Sequence, residues 1–407
     1  MAESFNTNQI NVVQYLYRHP AATRTDITQM LNITPATVSA VIAQLISLHL
    51  VVETGEEIAR TTGSGRKQKI ISLDPNYGCL IGVDFTLAGF AAYATDLTGH
   101  HIDHSYQPYE EIAGQSLNSN VANAINNLVS AHPERHFIGV GLSIPGHYDS
   151  ENHTLISNNQ MWQGFDLKII AADISLPIVA ENNVECMAMA QYLFDVESTP
   201  ENFLFMHAGF GLYCAFLQSK GLHPKRNYYI GEIGHTVVDP EGFQCECGKR
   251  GCLQTYISET WLVKRARDLY QSSSITVLRS LVKSPDKINL DTILAAYRLG
   301  DSYITKMLQD GLHYLAIAVA NLLMMSDADA IYLNSRLLQD PAFSDQVLAT
   351  INNQLRFIPT KKNTSVEVVK YDNTRAARGA CALAALAFVV QNPGYQAIAL
   401  SASTNHH

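Results

Sequence analysis

Residues 231–255 read GEIGHTVVDPEGFQCECGKRGCLQT, and no other stretch constrains the chain as strongly. His235, Cys245, Cys247 and Cys252 bring one imidazole and three thiols into one short segment. Gly242, Gly248 and Gly251 let the backbone fold tightly around them. One histidine with three cysteines is a closed tetrahedral zinc set, and closed sets are structural. The Cys-x-Cys step argues against a disulfide between Cys245 and Cys247, and the spacing argues against coincidence. With no open coordination position, a Zn2+ here is structural and not catalytic. Its loss is expected to loosen the loop and misplace Glu232 and His235.

Outward from this loop the chain alternates apolar strands with helical stretches. Strands are predicted at Leu80–Phe85, Gly89–Asp96, Phe137–Ile144, Ile178–Ala180 and Asn202–Met206, with helices at Leu117–Ala131 and Val184–Phe194 between them. That alternation predicts an α/β body. Cys79, Cys186, Cys214 and Cys381 stand alone in apolar stretches and read as small buried hydrophobes.

The first seventy-odd residues have a different pattern. Ile10, Val13, Leu16 and Tyr17 recur at helical steps, and His19-Pro20 ends that helix. Thr23 reads as the N-cap of a second short helix, closed by Asn32. Thr34-Pro35 caps and opens a third. A strand at Leu50–Glu53, a polar loop over Thr54–Gly65 and a strand at Gln68–Leu73 complete a winged helix-turn-helix pattern. The wing tip carries Arg66 and Lys67 beside Gly63, Ser64 and Gly65, a tip suited to phosphate or the minor groove. The third helix would present Thr34, Pro35, Ala36, Thr37, Ser39 and Ala40 to the major groove. Hydroxyls can meet phosphates or base edges, and Ala a thymine methyl. No Arg, Lys or Asn stands there, so modest base discrimination is expected, aided by DNA shape. The alternative for this head is a small protein-interaction module.

With 407 residues, 47% of them hydrophobic, the chain predicts two or three domains. A net charge of −9 excludes a general nucleic-acid coat, so any DNA contact must be a local patch. No apolar run is long enough to span a bilayer, and Met1–Gln9 lacks a signal core, so no membrane partner and a cytoplasmic location are expected.

Taken together, these motifs resemble the ROK family (repressors, open reading frames and sugar kinases), in its xylose-repressor and N-acetylglucosamine-repressor branch. The resemblance runs through TPATVSAVIAQLISLHLV, GSGRKQKIISLD and the GH…C-x-C-G-x-x-G-C signature. It implies an α/β fold: an N-terminal winged helix-turn-helix on a two-lobed, actin-like sugar-kinase body with a structural zinc loop. The implied domains are 1–75 for the DNA-binding head, then 76–195 for the first lobe, completed by a C-terminal helix at about 385–400. Residues 196–384 form the second lobe, with the zinc loop and dimerisation helices. Residues 378–384 read as a small-residue helix between the lobes, and the tail from Gln391 as frayed.

The resemblance also implies a sugar pocket that binds without reacting. The family's kinases carry Asp-x-Gly-Gly-Thr where this chain has Asp84-Phe85-Thr86-Leu87-Ala88-Gly89. Their second phosphate loop corresponds to His207–Leu212, and Ile331–Ser335 lacks their paired glycines. Their catalytic Asp corresponds to Asn183, whose amide cannot take a proton from a hydroxyl. Implied sugar contacts are Asn159, Asn182, Asn183, Glu232, His235 and Gln254, the last replacing the family's usual Glu. Ser143–Gly146 matches the family's turn near the sugar. Expected partners are double-stranded operator DNA with an inverted repeat, a sugar or sugar-phosphate effector such as xylose, and a second copy in a homodimer or homotetramer. Sugar in the cleft between lobes would alter closure and head spacing. The competing function is an active sugar kinase with a DNA-binding head.

Overall fold

The computed structural model describes residues 5–58, 68–149, 154–156, 162, 164–196, 199–218, 227–273, 275–356 and 364–391. Arg66, Lys67 and Asn159, with the tail beyond Gln391, lie outside the described residues.

The chain begins with helices α1 (Thr7–Arg18), α2 (Arg24–Leu31) and α3 (Pro35–Ser47). Their starts follow from local chemistry. Asn6 and Gln9 form a reciprocal capping box on α1, and Thr23 and Asp26 form another on α2. Asn32 ends α2 at φ 53°, and Thr34 caps α3 with Pro35 in its first turn. The chain direction turns by 120° between α2 and α3. Val12, Val13, Leu16, Ile27, Val38, Ile42 and Leu45 close a small core.

Strands β1 (Val51–Ile58) and β2 (Gln68–Leu73) follow as an antiparallel pair. The loop expected from Thr54 begins later, because Glu57 and Ile58 pair with Lys69 and Gln68. β2 is tied to the helices through Ile71, whose N–H donates to the Ala22 carbonyl.

Then come β3 (Cys79–Phe85), β4 (Gly89–Asp96), β5 (His101–Pro108), α4 (Leu117–Ala131), β6 (Phe137–Ile144), β7 (His147–Asp149), β8 (Thr154–Ile156), α5 (Leu167–Ala172), β9 (Ile178–Asn182) and α6 (Asn183–Leu193). Their main sheet has the order β5-β4-β3-β6-β9, with β3, β6 and β9 parallel. β3 is buried along its whole length, as a strand covered on both faces must be.

A second compact unit is formed by the described residues between 200 and 372. It comprises β10 (Phe203–Ala208), β11 (Leu212–Leu217), α7 (Gln254–Ile257), α8 (Glu259–Ser272), α9 (Leu278–Leu281), α10 (Leu290–Arg298), α11 (Ser302–Met325), β12 (Ala330–Asn334), α12 (Pro341–Leu355) and β13 (Ser365–Val368). The sheet order is β11-β10-β12-β13. Its core gathers Leu204, Met206, Leu262, Ile293, Leu308, Leu312, Val319, Ile331 and Val347.

The last helix, α13 (Arg375–Ala384), returns to the first unit. This moves a boundary: residues 373–384, expected in the second lobe or between the lobes, pack with the first. A Cβ at Gly82 would lie 1.9 Å from the Ala377 carbonyl oxygen, and one at Gly141 would lie 1.9 Å from that of Ala380. The helix therefore rests its backbone directly on β3 and β6. The run of Ala and Gly in α13 is what allows that approach.

Among the described residues no single helix is long and apolar enough to cross a membrane.

Candidate functional site

The loop after β11 brings together the four residues singled out from the sequence. His235, Cys245, Cys247 and Cys252 each offer one ligand atom, all within 4.8 Å of one another, a set that could hold a metal ion. Cys247 Sγ lies 3.6 Å from Cys252 Sγ, and Cys245 Sγ lies 3.7 Å from His235 Nδ1. A tetrahedron with metal–sulfur bonds of about 2.3 Å has edges of roughly 3.8 Å, so the spacing fits four-coordination.

Backbone closure explains the spacing. Val238 N–H donates to the Gly251 carbonyl, Gly248 N–H to that of Cys245, and Leu253 N–H to that of Thr236. Gly251 has φ 67°, and a Cβ there would fall 1.5 Å from the Asp239 carbonyl oxygen. Only glycine fits. Burial pushes the Cys245 thiol up to about 12 and raises that of Cys252. A cation bound here must therefore displace thiol protons, and would be the group that keeps the thiolates charged.

His235 turns Nδ1 toward Cys245, while its Nε2 lies 3.9 Å from a Glu232 oxygen. A carboxylate behind a ligating imidazole orients the ring. Gln254, the first residue of α7, is buried, and its amide donates to the Glu246 carboxylate. The other Glu246 oxygen accepts from Trp261 Nε1 at 3.2 Å. In the sequence Glu246 is only the spacer between two cysteines. Nothing local signals that it pairs with residues eight and fifteen positions downstream.

In the first unit, Asn182 and Asn183 stand at the junction of β9 and α6. Asn182 is buried: its Oδ1 accepts from Val184 and Glu185 N–H, and its Nδ2 donates to the Gly146 carbonyl at 2.8 Å. It caps α6 and ties it to the turn after β6. The half-exposed Asn183 begins the helix. Asp84, at the end of β3, is buried and accepts a 2.6 Å hydrogen bond from Ser143 Oγ. Burial pushes its carboxyl up to about 7.

Phe85, which follows Asp84 and ends β3, is packed among aromatic rings. Phe85 meets Phe165 at 4.9 Å and Trp162 at 5.6 Å between centroids. In the second unit, His207, next to last in β10, has its Nδ1 2.8 Å from Asn334 Oδ1, and burial lowers its pKa.

Along α3, Thr34, Pro35, Ala36, Ser39 and Ala40 are exposed and Thr37 is half-buried, while Val38, Val41 and Ile42 face inward. Thr34 Oγ1 and Thr37 Oγ1 lie 2.8 Å apart, so part of their hydrogen-bonding capacity serves the cap. Gln44, one turn beyond Ala40 and outside the set read from sequence, is also exposed.

A capped three-helix head with a two-stranded ribbon precedes an α/β body whose loop gathers one histidine and three cysteines, and this combination defines the class of protein. The chain belongs to the ROK family, whose model matches residues 80–386. It is 24% identical to the xylose repressor of Bacillus spizizenii over 82% of this chain and 83% of that one. It is 22% identical to the DNA-binding transcriptional dual regulator NagC of Escherichia coli over 92% and 91% of the two chains. Among solved structures, a ROK family transcriptional regulator, a homolog of the Escherichia coli MLC protein, superposes with a TM-score of 0.73. That match has 18% identity and covers 94% of this chain and 98% of that one. A ROK family glucokinase from Streptomyces griseus, with glucose and AMPPNP, gives 0.62 at 23% identity, covering 75% of this chain and 99% of that one. The fold expected from sequence, an actin-like sugar-kinase body, is the fold of these neighbours.

Proposed function

We propose that this chain is a sugar-responsive transcriptional repressor of carbohydrate-utilisation genes, acting in the cytoplasm. The observation that carries this reading is that the likeness to named repressors extends over head and body alike, whereas the glucokinase matches with nearly its whole length but leaves a quarter of this chain unmatched. The first three helices and the β1–β2 ribbon are read as a winged helix-turn-helix. Its 120° turn between α2 and α3 falls in the range of that motif. Thr34, Pro35, Ala36, Thr37, Ser39 and Ala40 would face the major groove, with Arg66 and Lys67 on the wing, and Gln44 is added for its exposed amide. A homodimer or homotetramer would set two heads on an inverted repeat.

The effector is read as a sugar or sugar phosphate, xylose among the candidates. Asn159, Asn182, Asn183, Glu232, His235 and Gln254 are the proposed contacts, carried over from the family's motifs. Asn183 carries more of this than Asn182, whose side chain is committed to capping α6. Against the kinase alternative stand the amide at Asn183 and the absence of paired glycines after Asp84. The four-residue cluster is read as structural zinc, held by His235 Nδ1 and the sulfurs of Cys245, Cys247 and Cys252. Such an ion supplies folding energy to its loop and no reactive position.

A thermal-shift screen of sugars and sugar phosphates, paired with a mobility shift on the gene's own upstream DNA, tests the reading. A true ligand at a hundredfold its Kd stabilises by about 2.7 kcal/mol. ADP release with any sugar, or no specific DNA binding at low salt, would overturn it.

A further inference from the structure

Helix α6 has candidate effector chemistry at one end and the N-terminal head at the other. It starts at Asn183. Nine residues on, about 14 Å along the axis, lies Tyr192. There Arg18, the last residue of α1, docks. Its Nη1 donates to the Tyr192 carbonyl at 3.3 Å, its Nη2 to the Thr199 carbonyl at 2.6 Å, and its guanidinium lies 4.4 Å from the centroid of the Tyr192 ring. Gln14, one turn earlier on α1, donates to the Tyr192 hydroxyl at 3.2 Å, and the Tyr17 ring stands 6.5 Å from that of Phe194. A cation on the last carbonyls of a helix is also favoured by the helix dipole.

The helix between these ends is suited to carry a displacement. Val184 to Leu193 are all buried. Its backbone touches α13 so closely that a Cβ at Gly379 would lie 2.1 Å from the Cys186 carbonyl oxygen. Beyond its C-terminus, Asp195 pairs with Arg378 at 2.7 Å and Arg375 at 3.2 Å, both on α13. A close-packed rod held on its flank and at its far end moves as a body and does not bend locally. A shift at its first turn therefore reaches the Tyr192 carbonyl and ring that hold Arg18.

We propose that Arg18 is the positioning residue through which a change at the Asn182–Asn183 end of α6 alters how the DNA-reading head is held. The inference rests on the repressor reading for the nature of the signal, but the mechanical coupling stands on the contacts alone.

Amide hydrogen exchange on the 407-residue chain separates the two. Arg18→Gln speeds exchange in α1 by about tenfold, the scale of a lost charge-assisted contact. Asn182→Ala, which uncaps α6, speeds α1 exchange in the Arg18 protein but adds nothing in the Arg18→Gln background. Arg18→Lys, with the charge but not the fork, restores part of the response. If α1 ignores Asn182→Ala, or if the two changes add independently, the coupling is wrong. Asn183→Asp serves in the same cycle if Asn182→Ala does not fold. D-Xylose and D-glucose form the second arm. A sugar that slows exchange at 181–185 should change α1 in the wild type and not in Arg18→Gln, and an equal α1 response in both overturns the coupling. If neither sugar alters 181–185, the sugar reading loses support, while the variant cycle still decides the coupling.

Discussion

Ser143 Oγ donates a 2.6 Å hydrogen bond to Asp84 Oδ1 across the parallel strands β3 and β6, and the carboxyl it reaches is buried. One hydroxyl does not replace the water that carboxylate has lost, so burial leaves the pKa at about 7, well above that of an exposed Asp.

Stability therefore depends on pH in a defined direction. Between the ordinary Asp pKa of about 3.9 and the folded value, the folded chain holds a proton that the unfolded chain has released. Stability falls as pH rises through that window and levels off above it. Asp84→Asn should raise the melting temperature at pH 8, with a gain of at most a few kcal/mol that fades toward pH 4. Thermal melts of both proteins across this range check it. A gain independent of pH would show that the carboxyl ionises freely.

Gly82 and Gly141 are where α13 meets the sheet. Gly82→Ala forces a Cβ against the Ala377 carbonyl oxygen, which is backbone and cannot swing away. A loss of about 3 kcal/mol is expected, at the upper end for overpacked cores. Gly114→Ala is the contrast, since it meets no atom within 4 Å and its φ of 81° leaves only backbone strain. Denaturant melts should separate the two, with Gly82→Ala the more costly.

Gln254 and Glu246 form a pair whose charges can be exchanged. Gln254→Glu alone sets a carboxylate at a buried position against the exposed Glu246, and destabilisation by about 1–3 kcal/mol follows. Adding Glu246→Gln restores an amide–carboxylate pair and should recover most of the loss. A double-mutant cycle measures this, and strict additivity would mean that the two side chains do not interact.

Chelation or Cys252→Ser should release one zinc per chain, read by elemental analysis. Amide exchange should accelerate over 232–254 while β3, β6 and β9 keep their protection. A protein that purifies without metal and keeps a protected loop would count against the zinc assignment.

Ser39→Glu on the exposed face of α3 places a negative charge where DNA phosphate is expected. Operator binding should fall at least tenfold with the melting temperature nearly unchanged, since no buried contact is lost. Fluorescence anisotropy with upstream DNA reads the effect, and unchanged affinity would move the DNA-reading face elsewhere.

Sequence alone determined what local chemistry controls. Thr23, Asn32 and Thr34-Pro35 set the ends of α2 and α3, because a cap is satisfied within a few residues of itself. The set of one histidine and three cysteines was legible because its ligands are close in the chain and few residue types serve that chemistry. Tertiary structure decided what depends on distant partners. β1 runs on to Ile58 because β2 lies beside it, and residues 373–384 join the first unit because Gly82 and Gly141 leave room for a helix backbone. Asn182 proved to be a cap tied to Gly146, and Glu246, a spacer in the sequence, proved to be the acceptor for Gln254 and Trp261. The loop at 231–255 thus declared its candidate metal ligands from sequence, whereas what its remaining side chains hold was fixed only by packing against α7 and α8.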